Sequence, residues 1–215
     1  MHKSEFSKFF KALEFIVLYV LIPVSLFLQY NIYLKVVLVL IAFVYIIIIL
    51  KKSKSVRFRM KKNLDWKSFC LRVSCTFLLL SITSFLYVWF QDKEALFYVP
   101  RTYPGLFVLI LVVYTFLSVW PQEIVYRTFF FERYKVFFKN KLLFVCLNAI
   151  VFSLAHLFFR NTLVLILTFI GGLLFGYTYL KYRSTTAVSI EHALYGNWLF
   201  TVGMGEMLAF PGMEG

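Results

Sequence analysis

The second half of this 215-residue chain carries side chains able to do chemistry inside otherwise apolar stretches. Gln122, Glu123 and Arg127 fall in one run, Asn148 and His156 in the next, and Glu191, His192 and Asn197 in the last, with Glu206 in the tail. A carboxylate can take a proton, and an imidazole can take one, give one or bind a metal. Glu123, His156 and His192 together can therefore activate water, or hold a divalent ion such as zinc. An ionisable group in hydrocarbon costs about 2.5–3.5 kcal/mol on insertion scales and marks function by default. A lone intramembrane histidine reads as structural, whereas two histidines and a carboxylate on three separate segments point to a site.

Each residue also has a plainer reading. Glu123 and Arg127 stand four apart, share a helix face and can pair as ions, which serves structure as well as catalysis. Asn148 reads as a hydrogen bond to a neighbouring helix, and Asn197 can do the same. Glu206 reads as a solvated tail residue. Glu191 adjoins His192 and offers a second carboxylate beside it.

The elements that must position these groups are membrane helices. The chain is 61% hydrophobic, 21% aromatic and only 15% charged, against about 45–50% apolar and 25% charged in soluble domains. That balance excludes disorder, and three cysteines (Cys70, Cys75 and Cys146) without CxxC spacing exclude a disulfide scaffold or metal framework. Runs of about 20 apolar residues span a bilayer. They predict transmembrane segments over 12–30, 33–50, 68–90, 105–131, 142–159, 162–181 and 186–204. The expected fold is an all-α, polytopic membrane helix bundle of about seven helices. No run reads as a cleaved signal peptide, and no internal repeat or linker is evident. Residues 1–104 read as a three-helix scaffold poor in buried polar groups, 105–204 as a four-helix core that carries the site, and 205–215 as a tail.

A net charge of +13 does not indicate nucleic acid, because the basic residues cluster between apolar runs as juxtamembrane charge does. Anionic lipid headgroups are their expected partner. With the N-terminus inside, 19 of the 23 basic residues fall on the cytoplasmic side, among them Lys51, Lys52, Lys54, Arg57, Arg59, Lys61, Lys62, Lys67 and Arg72. The expectation is a multi-pass plasma-membrane protein, N-terminus cytoplasmic and C-terminus outside.

Depth constrains the site. If the fourth segment runs on past Phe131 to about Arg133, Glu123 lies about 15 Å inside at 1.5 Å per residue, near the depth of the two histidines. Pro121 should kink that helix or begin a new one, with Ser118 as its cap. Gly172 and Gly176 have GxxxG spacing and predict close helix contact.

Three stretches carry a resemblance. Gln122-Glu123-Ile124-Val125-Tyr126-Arg127, Phe152-Ser153-Leu154-Ala155-His156 and His192-Ala193-Leu194-Tyr195-Gly196 resemble, in order, the motifs of the CAAX protease and bacteriocin-processing (Abi) family. These are intramembrane endopeptidases related to Rce1-type prenyl-protein proteases. The family pattern is Glu-Glu-x-x-x-Arg, then Phe-x-x-x-His, then His-x-x-x-Asn. The chain departs from it at Gln122, which stands at the first glutamate, and at Gly196, which stands at the asparagine. The resemblance implies cleavage of a membrane-associated peptide or protein by water. Glu123 would be the base, or one of two carboxylates orienting a metal. His156 would hold the water or metal, and His192 would be oxyanion donor or second ligand. Gln122 and Asn197 would support by hydrogen bonds, and Arg127 would keep Glu123 charged. Apart from the family pattern, Glu191 adjoins His192 and could supply a replacement carboxylate. Metal dependence stays open, because the spacing is not a sharp zinc motif.

Gln122 and Gly196 also favour a rival reading, a catalytically impaired relative serving as membrane scaffold, regulator or immunity protein. A proton-coupled transporter built on the carboxylate and histidines is a third, disfavoured by the lack of repeats.

Overall fold

The computed structural model describes residues 2–53, 64–205 and 207, with side chains from Ser7 onward. Lys54, Arg57, Arg59, Lys61, Lys62 and Glu206 lie outside the described residues, as do the side chain of Lys3 and most of the tail. The all-α expectation holds: the structure is 88% helical, with no strand among the described residues. Six helices are long and apolar enough to cross a membrane. They are α1 (Ser7–Phe27), α2 (Ile32–Lys52), α3 (Trp66–Gln91), α4 (Pro104–Phe137), α5 (Lys141–Phe159) and α6 (Thr162–Tyr182). The seventh predicted segment is helical too, as α7 (Thr185–Val202), but is not among those six. Its shortfall has a simple cause, since it carries Glu191, His192 and Asn197.

Polar residues fix where the helices begin. Asn31, Asp65, Asn140, Asn161 and Ser184 each accept a hydrogen bond from a first-turn backbone N–H of α2, α3, α5, α6 and α7. Each satisfies donors that would otherwise be orphaned at a helix start. Pro104 opens α4, where its missing N–H costs nothing. Gly203 ends α7 at φ 110°, a left-handed conformation that L side chains avoid.

The fourth helix extends past Phe131, the condition the depth argument sets. It runs unbroken from Pro104 to Phe137, so Pro121 neither starts a separate helix nor is capped by Ser118. Instead two π-helical stretches, Tyr114–Val119 and Ile124–Phe129, flank the α turn Trp120–Glu123. A widened turn ahead of the proline relieves the clash between its ring and the preceding carbonyl. Ser118 has another use: its Oγ accepts from Gln122 Nε2 at 2.7 Å.

The chain divides into two compact units, and each draws on both halves of the sequence. The first contains described residues 2–53 and 125–177. Its centre is aromatic, with Tyr19, Phe129, Phe130, Phe131 and Tyr134 fully buried. Glu14 is held there by Arg133 through both oxygens (2.8 and 2.9 Å), and also accepts from Tyr134 and Tyr45. Tyr19 donates to the Val125 carbonyl and Asn148 to the Tyr126 carbonyl, both at 2.7 Å. These bonds satisfy backbone acceptors of the second π stretch, and give Asn148 the helix-linking role its type suggested. The GxxxG expectation also holds in this unit. A Cβ on Gly172 would meet Ala149 Cα at 2.7 Å, and one on Gly176 would meet Val145 at 3.2 Å.

The second unit contains described residues 64–124, 178–205 and 207. Here α3 contacts α7 through a buried polar cluster. Arg72 donates to both oxygens of Glu191 (2.9 and 3.1 Å) and to Thr178 (2.6 Å). Thr178 in turn donates to Glu191 at 2.6 Å, and Tyr195 does so at 3.2 Å. The three cysteines are free thiols.

Candidate active site

The turn Trp120–Glu123, held between its two π stretches, presents Glu123 to α7. Glu123 is fully buried and its Oε1 lies 2.7 Å from Nδ1 of His192, itself 7% exposed. When the carboxylate is ionised it only accepts hydrogen bonds, and Nδ1 of His192 is then the donor. Proton exchange with a reactant then falls to Nε2. A carboxylate bonded to Nδ1 fixes the ring's tautomer and orientation and stabilises the imidazolium that forms when Nε2 takes a proton. The pair can therefore take up a proton and return it.

Other residues singled out in the sequence have different surroundings. Gln122 donates to Ser118, while its Oε1 is buried without a hydrogen-bond partner among the described residues. Asn197 donates to Thr115 at 3.1 Å, and its Oδ1 is likewise buried and unpartnered there. Glu191 is fully buried in the Arg72 cluster, so both its oxygens are engaged away from any role as a spare base. Arg72, counted in the sequence with the loop charges, lies within α3 instead. Its guanidinium reaches inward to Glu191 and Thr178.

His156 and Arg127 belong to the first unit. His156 follows the α-helical part of α5, and its Nδ1 lies 2.8 Å from the Phe152 carbonyl. A carbonyl can only accept, so this bond places the proton on Nδ1 and the lone pair of the neutral ring on Nε2. Arg127 is fully buried, with its guanidinium over the Phe152 ring at 4.5 Å and the Phe175 ring at 5.6 Å. Such cation–π stacking helps a buried arginine keep its charge.

Two residues of the second unit were not anticipated at all. Tyr114 opens the first π stretch and meets His192 edge-on, with ring centroids 6.1 Å apart. Thr178 bridges Arg72 and Glu191. Tyr114 gave no signal beyond being one of 14 tyrosines. Arg72 did give one, as an ionisable group inside an apolar span, the same criterion that picked out Glu191.

The residues do not fit a metal centre. Among the described residues no three His, Cys, Asp or Glu side chains gather closely enough to hold an ion, and Glu123 and His192 are bonded to each other. A cavity of about 320 Å³ lies in the first unit, lined by Ala12, Phe15, Ile16, Tyr134, Phe137 and others, all away from the candidate residues named in the sequence.

The fold and this pair together define a class: a multi-pass, all-α membrane protein with a glutamate–histidine couple buried in its apolar interior. Residues 104–198 match the family model described as type II CAAX prenyl endopeptidase Rce1-like. The match covers somewhat less than half of the chain, takes in all three motifs, and supports a CAAX protease family assignment. At family level this supports a CAAX-type intramembrane protease. Neither the curated proteins nor the solved structures include a match to the chain.

Proposed function

We propose that the chain is an intramembrane endopeptidase that hydrolyses a peptide bond in a membrane-associated peptide or protein, with Glu123 and His192 as its proton-transfer pair. The observation that carries this reading is the 2.7 Å bond between Glu123 Oε1 and His192 Nδ1, with both residues buried in α4 and α7. Water attacks the carbonyl carbon, forming a C–O bond while the pair takes one of its protons. The tetrahedral intermediate then collapses, the C–N bond breaks, and the same proton passes to the leaving nitrogen. Low dielectric around the pair strengthens each of these electrostatic steps.

His156 joins this assignment on its motif position and on a tautomer that keeps Nε2 as the basic nitrogen. The orphaned oxygens Gln122 Oε1 and Asn197 Oδ1 support a peptide ligand. A buried acceptor without a donor is costly, and a backbone N–H from a bound peptide would satisfy it. We read the N-terminus as cytoplasmic and the C-terminus as outside on the basic-residue bias, and anionic lipid as the partner of those charges.

The test is a library of membrane-anchored fluorogenic peptides presented to the purified protein in liposomes. Cleavage should be lost in Glu123→Ala, His156→Ala and His192→Ala variants that still insert. Normal cleavage by all three would end the proposal.

One observation favours a second reading, a non-proteolytic scaffold or regulator. The family's first glutamate position holds Gln122, an amide that cannot take a proton and is tied to Ser118. An inert wild type that gains activity on Gln122→Glu substitution would select it.

A further inference from the structure

We propose that the phenol of Tyr114 is a catalytic residue, the hydrogen-bond donor to the oxyanion of the tetrahedral intermediate. This rests on the reading of Glu123 and His192 as the proton-transfer pair. When water adds to the peptide carbonyl, the C=O electron pair moves onto oxygen, and a positioned donor is worth most at that moment.

The second unit holds several donors near the pair, and most are already committed. Gln122 Nε2 donates to Ser118, Asn197 Nδ2 to Thr115, Tyr195 to Glu191 and the Val73 carbonyl, and Trp198 Nε1 to Ser84. Two are uncommitted: Ser189, whose Oγ is buried without a partner among the described residues, and Tyr114, which meets the His192 ring. The Tyr114 hydroxyl makes no hydrogen bond to another described residue.

Its position is fixed from two sides. The ring stands nearly perpendicular to His192, at 83°, and packs edge-on against Phe200 at 5.0 Å. Its hydroxyl then reaches the backbone of Gly196, one turn beyond His192, where any side chain on residue 196 would collide with it. Gly196 thus makes room for a phenol on the face of α7 that carries His192. The π stretch that begins at Tyr114 is a local departure from α geometry of the kind often found at functional sites.

In the proposed step Tyr114 gives a hydrogen bond and keeps its proton. The proton that moves from water to the leaving nitrogen travels through the Glu123–His192 pair.

The experiment compares wild type, Tyr114→Phe and Glu123→Gln on one membrane-anchored peptide, with Gly196→Ala made in both the wild-type and Tyr114→Phe backgrounds. Tyr114→Phe keeps the ring contacts and loses only the hydroxyl, so kcat should fall by about 10²- to 10³-fold with KM little changed. Gly196→Ala should lower kcat in the wild type, by displacing the phenol, and add little to Tyr114→Phe. A Tyr114→Phe variant with wild-type kcat beside an inactive Glu123→Gln overturns the role of Tyr114 and leaves the pair standing. Wild-type rates in both variants remove the pair, and this inference with it.

Discussion

Arg72 holds both oxygens of Glu191 one residue before His192, at 2.9 and 3.1 Å, from a helix in the first half of the chain. A forked contact of this kind fixes rotation as well as distance. It sets the face that α7 turns toward Glu123, so a residue of the N-terminal helices helps to aim the histidine.

Breaking that contact from one side should be costly. Arg72→Met alone leaves Glu191 buried and unpaired, and removing one partner of a buried pair costs about 3–5 kcal/mol. The arginine side chain is 21% exposed, so the lower end of that range applies. The double variant Arg72→Met/Glu191→Leu should recover much of the loss, because no bare charge remains. Thermal unfolding of Arg72→Met, Glu191→Leu and the double variant in detergent checks this, and a double variant no more stable than either single one would contradict it.

Close helix contact in the first unit makes a second prediction. Gly172→Val places a branched side chain where even a Cβ would stand 2.7 Å from Ala149 Cα. Overpacking of this kind costs about 1–3 kcal/mol or more, since backbone must move. Gly105→Ala is the matched control, as nothing lies within 4 Å of its added Cβ. Melting temperatures should fall for Gly172→Val and stay level for Gly105→Ala.

Gln122→Glu separates protease from scaffold. With Glu123 already bonded to His192, the wild type should cleave, and the substitution should change its rate by less than tenfold. A second carboxylate beside Glu123 would not create an activity that is already there. Awakening of an inert protein by this change would reverse the conclusion.

Much of the fold was legible because it depends on long apolar runs and on caps that precede them. Asn140 and Ser184 start their helices in the ordinary way, and the helix containing Glu123 continues to Phe137 as the depth argument requires. Pro121 was legible as an interruption of regular helix, but not as an α turn between two π stretches, which residue spacing does not specify. The site was legible in part. Glu123 and His192 stood out as charges in hydrocarbon and do meet. Glu191 stood out for the same reason, but its partner Arg72 is 119 residues away, a pairing that spacing cannot reveal. Tyr114 was hidden by its chemistry, since a tyrosine in an aromatic-rich membrane helix signals nothing until its neighbours are known.

The pair itself is tested most directly by non-additivity. Groups that move one proton between them act as a unit, so losing the second adds little once the first is gone. Single-turnover cleavage of one membrane-anchored peptide should be crippled equally in Glu123→Gln, His192→Ala and the double variant, with all three still folded. A single variant that keeps the wild-type rate, or a double variant far slower than either single one, would contradict the account.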